Sequence, residues 1–279
     1  MNLTDSLAVA DTLAKANKND SGWILHHIMD GRTLDFEPFG EIHITQFPLL
    51  FGIDITPTKH VIFMWMSAIL VLITFAIVAS RYKKSLIPKG FTNFFEILIV
   101  FVKDEIAKPT IGKGFEKFLP YLLSIFFFIL FGNFLGLLPF SATFTSNIAV
   151  TSSLAVLTFI VTQAGGIMQN GFFGYFKGLV PHGIPAPLLP LMILVEFLGL
   201  LTKPFALAIR LFANMMAGHT VILALLGLII FMGTYFIVPV SVGFALFIYF
   251  LEILVSLIQA YIFTMLSGLF IGMAVHQEH

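Results

Sequence analysis

Cysteine is absent from the 279 residues, and tryptophan occurs only twice. The first absence excludes disulfides, thiolate metal sites and thiol nucleophiles. Charge is scarce as well: 11% of the residues are Asp, Glu, Lys or Arg, against about 25% in soluble domains. The 15 basic and 15 acidic side chains cancel, and a chain with no basic domain is not a nucleic-acid binder. No Gly-x-x-x-x-Gly-Lys-[Ser/Thr] run occurs, so the chain has no phosphate loop for a nucleotide. What is abundant is apolar: 58% of the residues fall in the set AVILMFWYC, 33 of them Phe. After residue 117 the charged residues are only Lys177, Glu196, Lys203, Arg210, Glu252 and Glu278. This is the composition of an integral membrane protein, to be read through its few intramembrane polar groups.

Residues 1–56 form an acidic tail without an apolar run of signal-peptide length, expected outside the membrane. Neither a metal nor a cofactor is expected. The adjacent pair His26-His27 does not converge on one ion in a helix or a strand, and reads as part of a solvated loop.

A membrane domain over 57–275 follows, with 276–279 as a short cytoplasmic end. Val61 to Ser80 is a charge-free stretch of 20 residues, enough to cross ~30 Å of hydrocarbon. Eight basic residues lie between 81 and 117 and none between 139 and 147. The positive-inside rule therefore puts 81–117 and 171–187 in the cytoplasm, the tail and 139–147 outside, and the C-terminus inside. Pro88 to Lys108 alternates Phe and aliphatic residues with Glu96, Lys103, Asp104 and Glu105, and is expected as an amphipathic helix at the cytoplasmic interface. Leu119 to Leu138 and a stretch from Asn147 to about Met168 are two more spans. Gly171 to Pro187 reads as a Gly/Pro-rich loop.

Two apolar stretches then exceed one crossing. Leu188 to Ile230 has 43 residues and Ile237 to Val275 has 39, or about 58–64 Å of helix. Either they break, with Pro190, Pro204 and Pro239 as candidates, or they form an inclined hairpin turning near Gly233. The expected fold is thus an all-α integral membrane protein with about five membrane-embedded helices and one interfacial amphipathic helix.

Ionisable groups inside a membrane are costly and mark ion or substrate paths. At about 100° per residue, Glu196, Lys203, Arg210, Asn214 and Ala217 share one helix face, and His219 lies about 180° from Arg210. Glu252, Ser256, Gln259 and Phe263 share a face of the second long helix. With the helices antiparallel and Gln259 level with Arg210, His219 and Glu252 fall together on the outer side, while Glu196 lies about 21 Å inward of Arg210. The guanidinium then has no anion at its own depth, and an unpaired buried charge is prohibitive. A partner should supply an intramembrane carboxylate.

The run Glu196-Phe-Leu-Gly-Leu-Leu-Thr-Lys203-Pro-Phe-Ala-Leu-Ala-Ile-Arg210-Leu-Phe-Ala-Asn214-Met-Met-Ala-Gly-His219 resembles the Arg-bearing helix of subunit a of rotary F-type ATP synthases. Gly132-Asn133-Phe-Leu-Gly-Leu-Leu-Pro139 with Thr145-Ser-Asn147, and Glu252-Ile-Leu-Val-Ser-Leu-Ile-Gln259-Ala-Tyr261, are similar to two further blocks of that family. The likeness covers about 57–275 and excludes the tail. Some bacterial members carry the acid on the first long helix and the His on the second; here the two are exchanged.

The resemblance implies a tilted hairpin against a ring of c-subunit proteolipids, with peripheral-stalk b subunits and lipid as further neighbours, in a bacterial plasma (inner) membrane. It implies two half-channels for H⁺ or Na⁺: an outer one past Asn147, Asn214, His219, Glu252 and Gln259, and an inner one past Glu196 and Lys203. Arg210 separates them as the essential charge facing the ring carboxylate. The chain would not be an enzyme by itself. The rival reading is a secondary transporter with a central ion site, which would favour internal repeats; the Arg210 block has no second copy. A purely structural subunit would leave the mid-membrane Arg unexplained, and a flagellar-type motor stator would be expected to carry its own ion-binding carboxylate.

Overall fold

A computed structural model describes residues 33–36, 40–43, 56–82, 90–138, 143–178, 189–232 and 235–276. His26-His27, the basic residues Lys83, Lys84 and Lys89, the turn at Gly233 and the end 277–279 lie outside the described residues.

Backbone polar groups in hydrocarbon have no water to bond, so a spanning segment must satisfy them internally. Helix is what these apolar stretches adopt. Among the described residues the helices are α1 (Lys59–Tyr82), α2 (Phe91–Phe101), α3 (Lys108–Ile111), α4 (Leu119–Gly136), α5 (Ile148–Asn170), α6 (Phe172–Gly178), α7 (Leu189–Met232) and α8 (Ile237–Val275). Five of them, α1, α4, α5, α7 and α8, are long and apolar enough to cross a membrane. The membrane domain is all-α.

Three features depart from the sequence reading. First, the tail carries an antiparallel pair of short strands, β1 (Thr33–Phe36) and β2 (Gly40–His43), with Thr33 opposite His43 and Phe36 opposite Gly40. Second, the amphipathic helix does not simply lie on the surface. After α2 the backbone widens into a π-helical stretch, Val102–Ala107, that leads into α3. There Val102, Ile106 and Ala107 are wholly buried while Phe91, Phe94 and Ile97 of α2 stay exposed. The insertion rotates the apolar face so that the far end wedges against α8, where Gly268 and Gly272 leave room for Thr110. Third, the Gly/Pro-rich loop contains the short helix α6, which starts after Gly171 turns the chain with φ of 71°. Only glycine adopts that backbone readily.

The two long stretches are not broken. Pro190 and Pro239 fall in the first turns of α7 and α8, where a missing N–H is harmless. Pro204 sits inside α7, which continues through it for 44 residues in all. That is about 66 Å of helix. The hairpin alternative is therefore the one realised, with α7 and α8 packed on each other.

Helices in lipid gain little from the hydrophobic effect and depend on close packing and interhelical hydrogen bonds. α8 is the centre, touching α7, α4, α5 and α3, while α1 packs on α4. An aromatic cluster joins α1, α2 and α4: Phe127 meets Phe75 at 5.1 Å and Phe95 at 5.8 Å between ring centroids. Ser67 of α1 donates to the Phe128 carbonyl of α4 at 3.1 Å. The segment 143–147 folds back on α4, with the Phe144 ring against Gly132 and Thr145 Oγ1 donating to Asn133 Oδ1 at 2.9 Å.

Candidate functional site

Along α7 the polar residues separate by direction. Arg210 is exposed, together with the small side chains Ala206, Ala213 and Ala217 on the same face. Among the described residues no ion pair reaches it. Asn214, one turn on, is turned toward α8, and its amide donates to Gln259 Oε1 at 2.7 Å. Gln259 is buried. An interhelical bond of this kind contributes about 0.6 kcal/mol on average.

Further along, His219 Nδ1 lies 3.5 Å from Glu252 Oε1. Glu252 is only 4% exposed, and neither of its oxygens accepts a hydrogen bond among the described residues. Among the described residues the His219 imidazole is the ion-pair partner of this carboxylate. On the other side, His219 Nε2 is hydrogen-bonded to the Thr143 hydroxyl of the segment before α5. The two pairs fix an antiparallel register. Gln259 bonds Asn214, one turn along α7 from the Arg210 with which the sequence reading set it level, while His219 and Glu252 meet as that reading expected.

Asn147 has a different place from its neighbours. Its Oδ1 accepts from Ala149 N at 2.9 Å as the N-cap of α5. A side-chain oxygen at this position satisfies a helix N–H that has no partner within the helix.

At the other end of α7, a cavity of about 400 Å³ opens among α5, α6, α7 and α8. Glu196 and Lys203 line it, with Gln163, Tyr175, Thr158 and His276. Lys203 Nζ stands 5.7 Å from the centre of the Phe270 ring, a cation–π contact with α8. Leu200 and Pro204 are also on its wall. Proline has no N–H to give the carbonyl four residues back, so Leu200 faces this cavity with its helical bond missing. Tyr175 donates its hydroxyl to Gln163 Oε1 at 2.7 Å. Burial pushes the Tyr175 phenol above its usual pKa, which the Gln163 bond opposes and the Glu196 charge reinforces. It is therefore a donor at neutral pH.

Sequence reasoning missed Thr143, Gln163, Tyr175 and His276. Gln163 carries a signal, being an amide inside an otherwise largely apolar span. Thr143 and Tyr175 carry none, since each matters only through a contact with a residue distant in the chain.

Fold and site define a multi-pass membrane protein whose helix pair holds an acid–imidazole contact on one side of the exposed Arg210 and a cavity lined by Glu196 and Lys203 on the other. The family model for the ATP synthase A chain matches residues 61–272. The chain is 53% identical to "ATP synthase subunit a" of Chloroherpeton thalassium, over 91% of this chain and 77% of that one. It is 48% identical to "ATP synthase subunit a 2" of Chlorobaculum tepidum over 96% and 76% of the two chains. A third relative, "ATP synthase subunit a" of an Anaeromyxobacter species, is 49% identical over 92% and 71%. The chain belongs to the ATP synthase A chain family. It is accordingly a membrane subunit of an ATP synthase complex, without a nucleotide site of its own.

Proposed function

We propose that the chain is the proton-translocating stator subunit of an F-type ATP synthase, with Arg210 dividing two half-channels that open on opposite sides of the membrane. The observation that carries the reading is the placement of Arg210: exposed on a face of small residues, unpaired among the described residues, with polar groups displaced in both directions along α7. Protons reach the level of Asn214 and Gln259 past His219 and Glu252. They load onto a carboxylate of a rotating c subunit, and after the ring has turned they leave through the cavity beside Glu196 and Lys203. Ala206, Ala213 and Ala217 allow a ring helix to approach Arg210 closely. The guanidinium favours the ionised form of the arriving carboxylate, so each site must release its proton there.

In this assignment residues 1–56 lie outside, 57–275 form the membrane domain, and 276–279 end in the cytoplasm of a bacterium, the bilayer being its inner membrane. The c-ring, peripheral-stalk b subunits and lipid cover the exposed apolar faces. A secondary transporter gains nothing from the relatives, which are ATP synthase subunits. The test is cross-linking: single Cys residues at Ala206, Ala213 and Ala217 should form disulfides with Cys-bearing c subunits in membranes. Absence of cross-links at all three, with assembly intact, would place the ring elsewhere.

A further inference from the structure

Thr143 stands just before the short segment that follows α4, and three successive side chains there have seats on that helix. Phe144 fills the space over Gly132, Thr145 bonds Asn133, and Thr143 packs where a side chain at Gly136 would be. The Thr143 carbonyl accepts from Ser146 N at 3.0 Å and from Ser146 Oγ at 2.7 Å, closing the turn. From that seat Thr143 is 2% exposed, and its hydroxyl reaches across to His219 Nε2 on α7. His219 is thereby held between the Thr143 hydroxyl and the Glu252 carboxylate, one on each ring nitrogen.

We propose that Thr143 is a positioning residue of the outer proton path: its hydroxyl holds the His219 ring so that Nδ1 faces Glu252 in both protonation states of the imidazole. This inference rests on the two-half-channel reading. A threonine hydroxyl is one donor and two acceptors and rotates freely. When the ring is neutral and Nδ1–H faces the carboxylate, Nε2 is an acceptor and the hydroxyl donates to it. When Nε2 takes a second proton, the hydroxyl turns and accepts. No movement of the backbone is needed between the two. A carboxylate or an amide at 143 would favour one state by charge or by a fixed donor; a hydroxyl favours neither.

The test is a pair of substitutions whose order inverts between a positioning and a packing role. Thr143→Val keeps the branched shape that sits over Gly136 and removes the hydroxyl. Thr143→Ser keeps the hydroxyl and removes the methyl group. Proton flux through the membrane sector freed of its catalytic head, in vesicles under an imposed potential, should fall about five-fold in Val, the scale of one lost hydrogen bond. Ser should stay within about two-fold of the unsubstituted protein. In a His219→Ala background the Val change should cost nothing more, because the group it orients is gone. Ser worse than Val, or a full further loss from Val in the His219→Ala background, would overturn the positioning role while leaving the half-channel reading intact. If His219→Ala alone leaves the flux unchanged, the outer path itself is wrong and Thr143 falls with it.

Discussion

Gly218 of α7 stands directly against the carboxylate of Glu252: a Cβ built at 218 would lie 2.7 Å from Oε1 and 2.9 Å from Cδ. The approach that brings His219 within reach of this acid thus depends on its neighbour having no side chain. Gly218→Ala should displace the flexible Glu252 side chain rather than the helix, since the atoms met are its far end. Proton flux should drop while the subunit still assembles, and Glu252→Asp, one methylene shorter, should recover part of the loss in the Gly218→Ala background. Flux in the Ala variant equal to that of the unsubstituted protein would mean the carboxylate position is not set by this contact.

Arg210→Ala should abolish proton-driven ATP synthesis and open a passive proton leak through the headless sector, because nothing then divides the two polar regions. Arg210→Lys should also fail to restore coupling. Its ammonium is compact and strongly hydrated and loses its charge more readily on burial, while a guanidinium stays charged. Coupled synthesis by the Ala variant would remove Arg210 from its central role; loss of synthesis without a leak would remove only the barrier role.

The 3.5 Å contact between His219 Nδ1 and Glu252 Oε1 predicts that the two are exchangeable in part. His219→Glu and Glu252→His, taken singly, leave two like groups facing each other in a buried site. Combined, they restore an acid opposite an imidazole. ATP-driven pumping in membrane vesicles should be higher in the double variant than in the worse single one, and a double variant no better than either single would argue that the pair does not act together.

The cavity beside Glu196 should respond to filling. Ala155 is on its wall, and Ala155→Leu adds side-chain volume there. Flux in both directions should fall, with the subunit's abundance in the membrane unchanged. Unaltered flux with normal abundance would show that protons do not pass there.

Topology is checked by labelling. With the eight basic residues between 81 and 117 facing the cytoplasm, a Cys at Asp20 should react with an impermeant thiol reagent on intact cells and a Cys at Gln277 should not. The opposite pattern would invert the assignment.

The number and extent of the long helices were legible because lipid compatibility is a property of the side chains alone. Ile237 to Val275 came out to the residue, and Leu119 was the start of α4 in both readings. The special place of Arg210 was legible for the same reason, since a charge in an apolar run must be accounted for wherever it sits. The π-helical stretch at 102–107 was not, because whether a helix widens by a residue depends on what its face must meet, here α8 and Thr110's seat on it. Nor was α6, whose seven residues are fixed less by their own propensity than by Tyr175 packing against Gly166 and bonding Gln163.

By itself the sequence determined that this is a membrane protein of about five crossings with two cations, two acids and one imidazole on its long helices, since hydropathy and charge are additive along a chain. Only the tertiary structure decided which of those groups meet. A proline inside α7 could have broken it, and the helix carried on because its neighbours hold it. The hairpin could have set Gln259 beside Arg210. The amide of Gln259 instead meets Asn214, one turn from Arg210, while His219 meets Glu252, a choice made by side-chain reach and close packing between two helices, which no property of either helix alone contains.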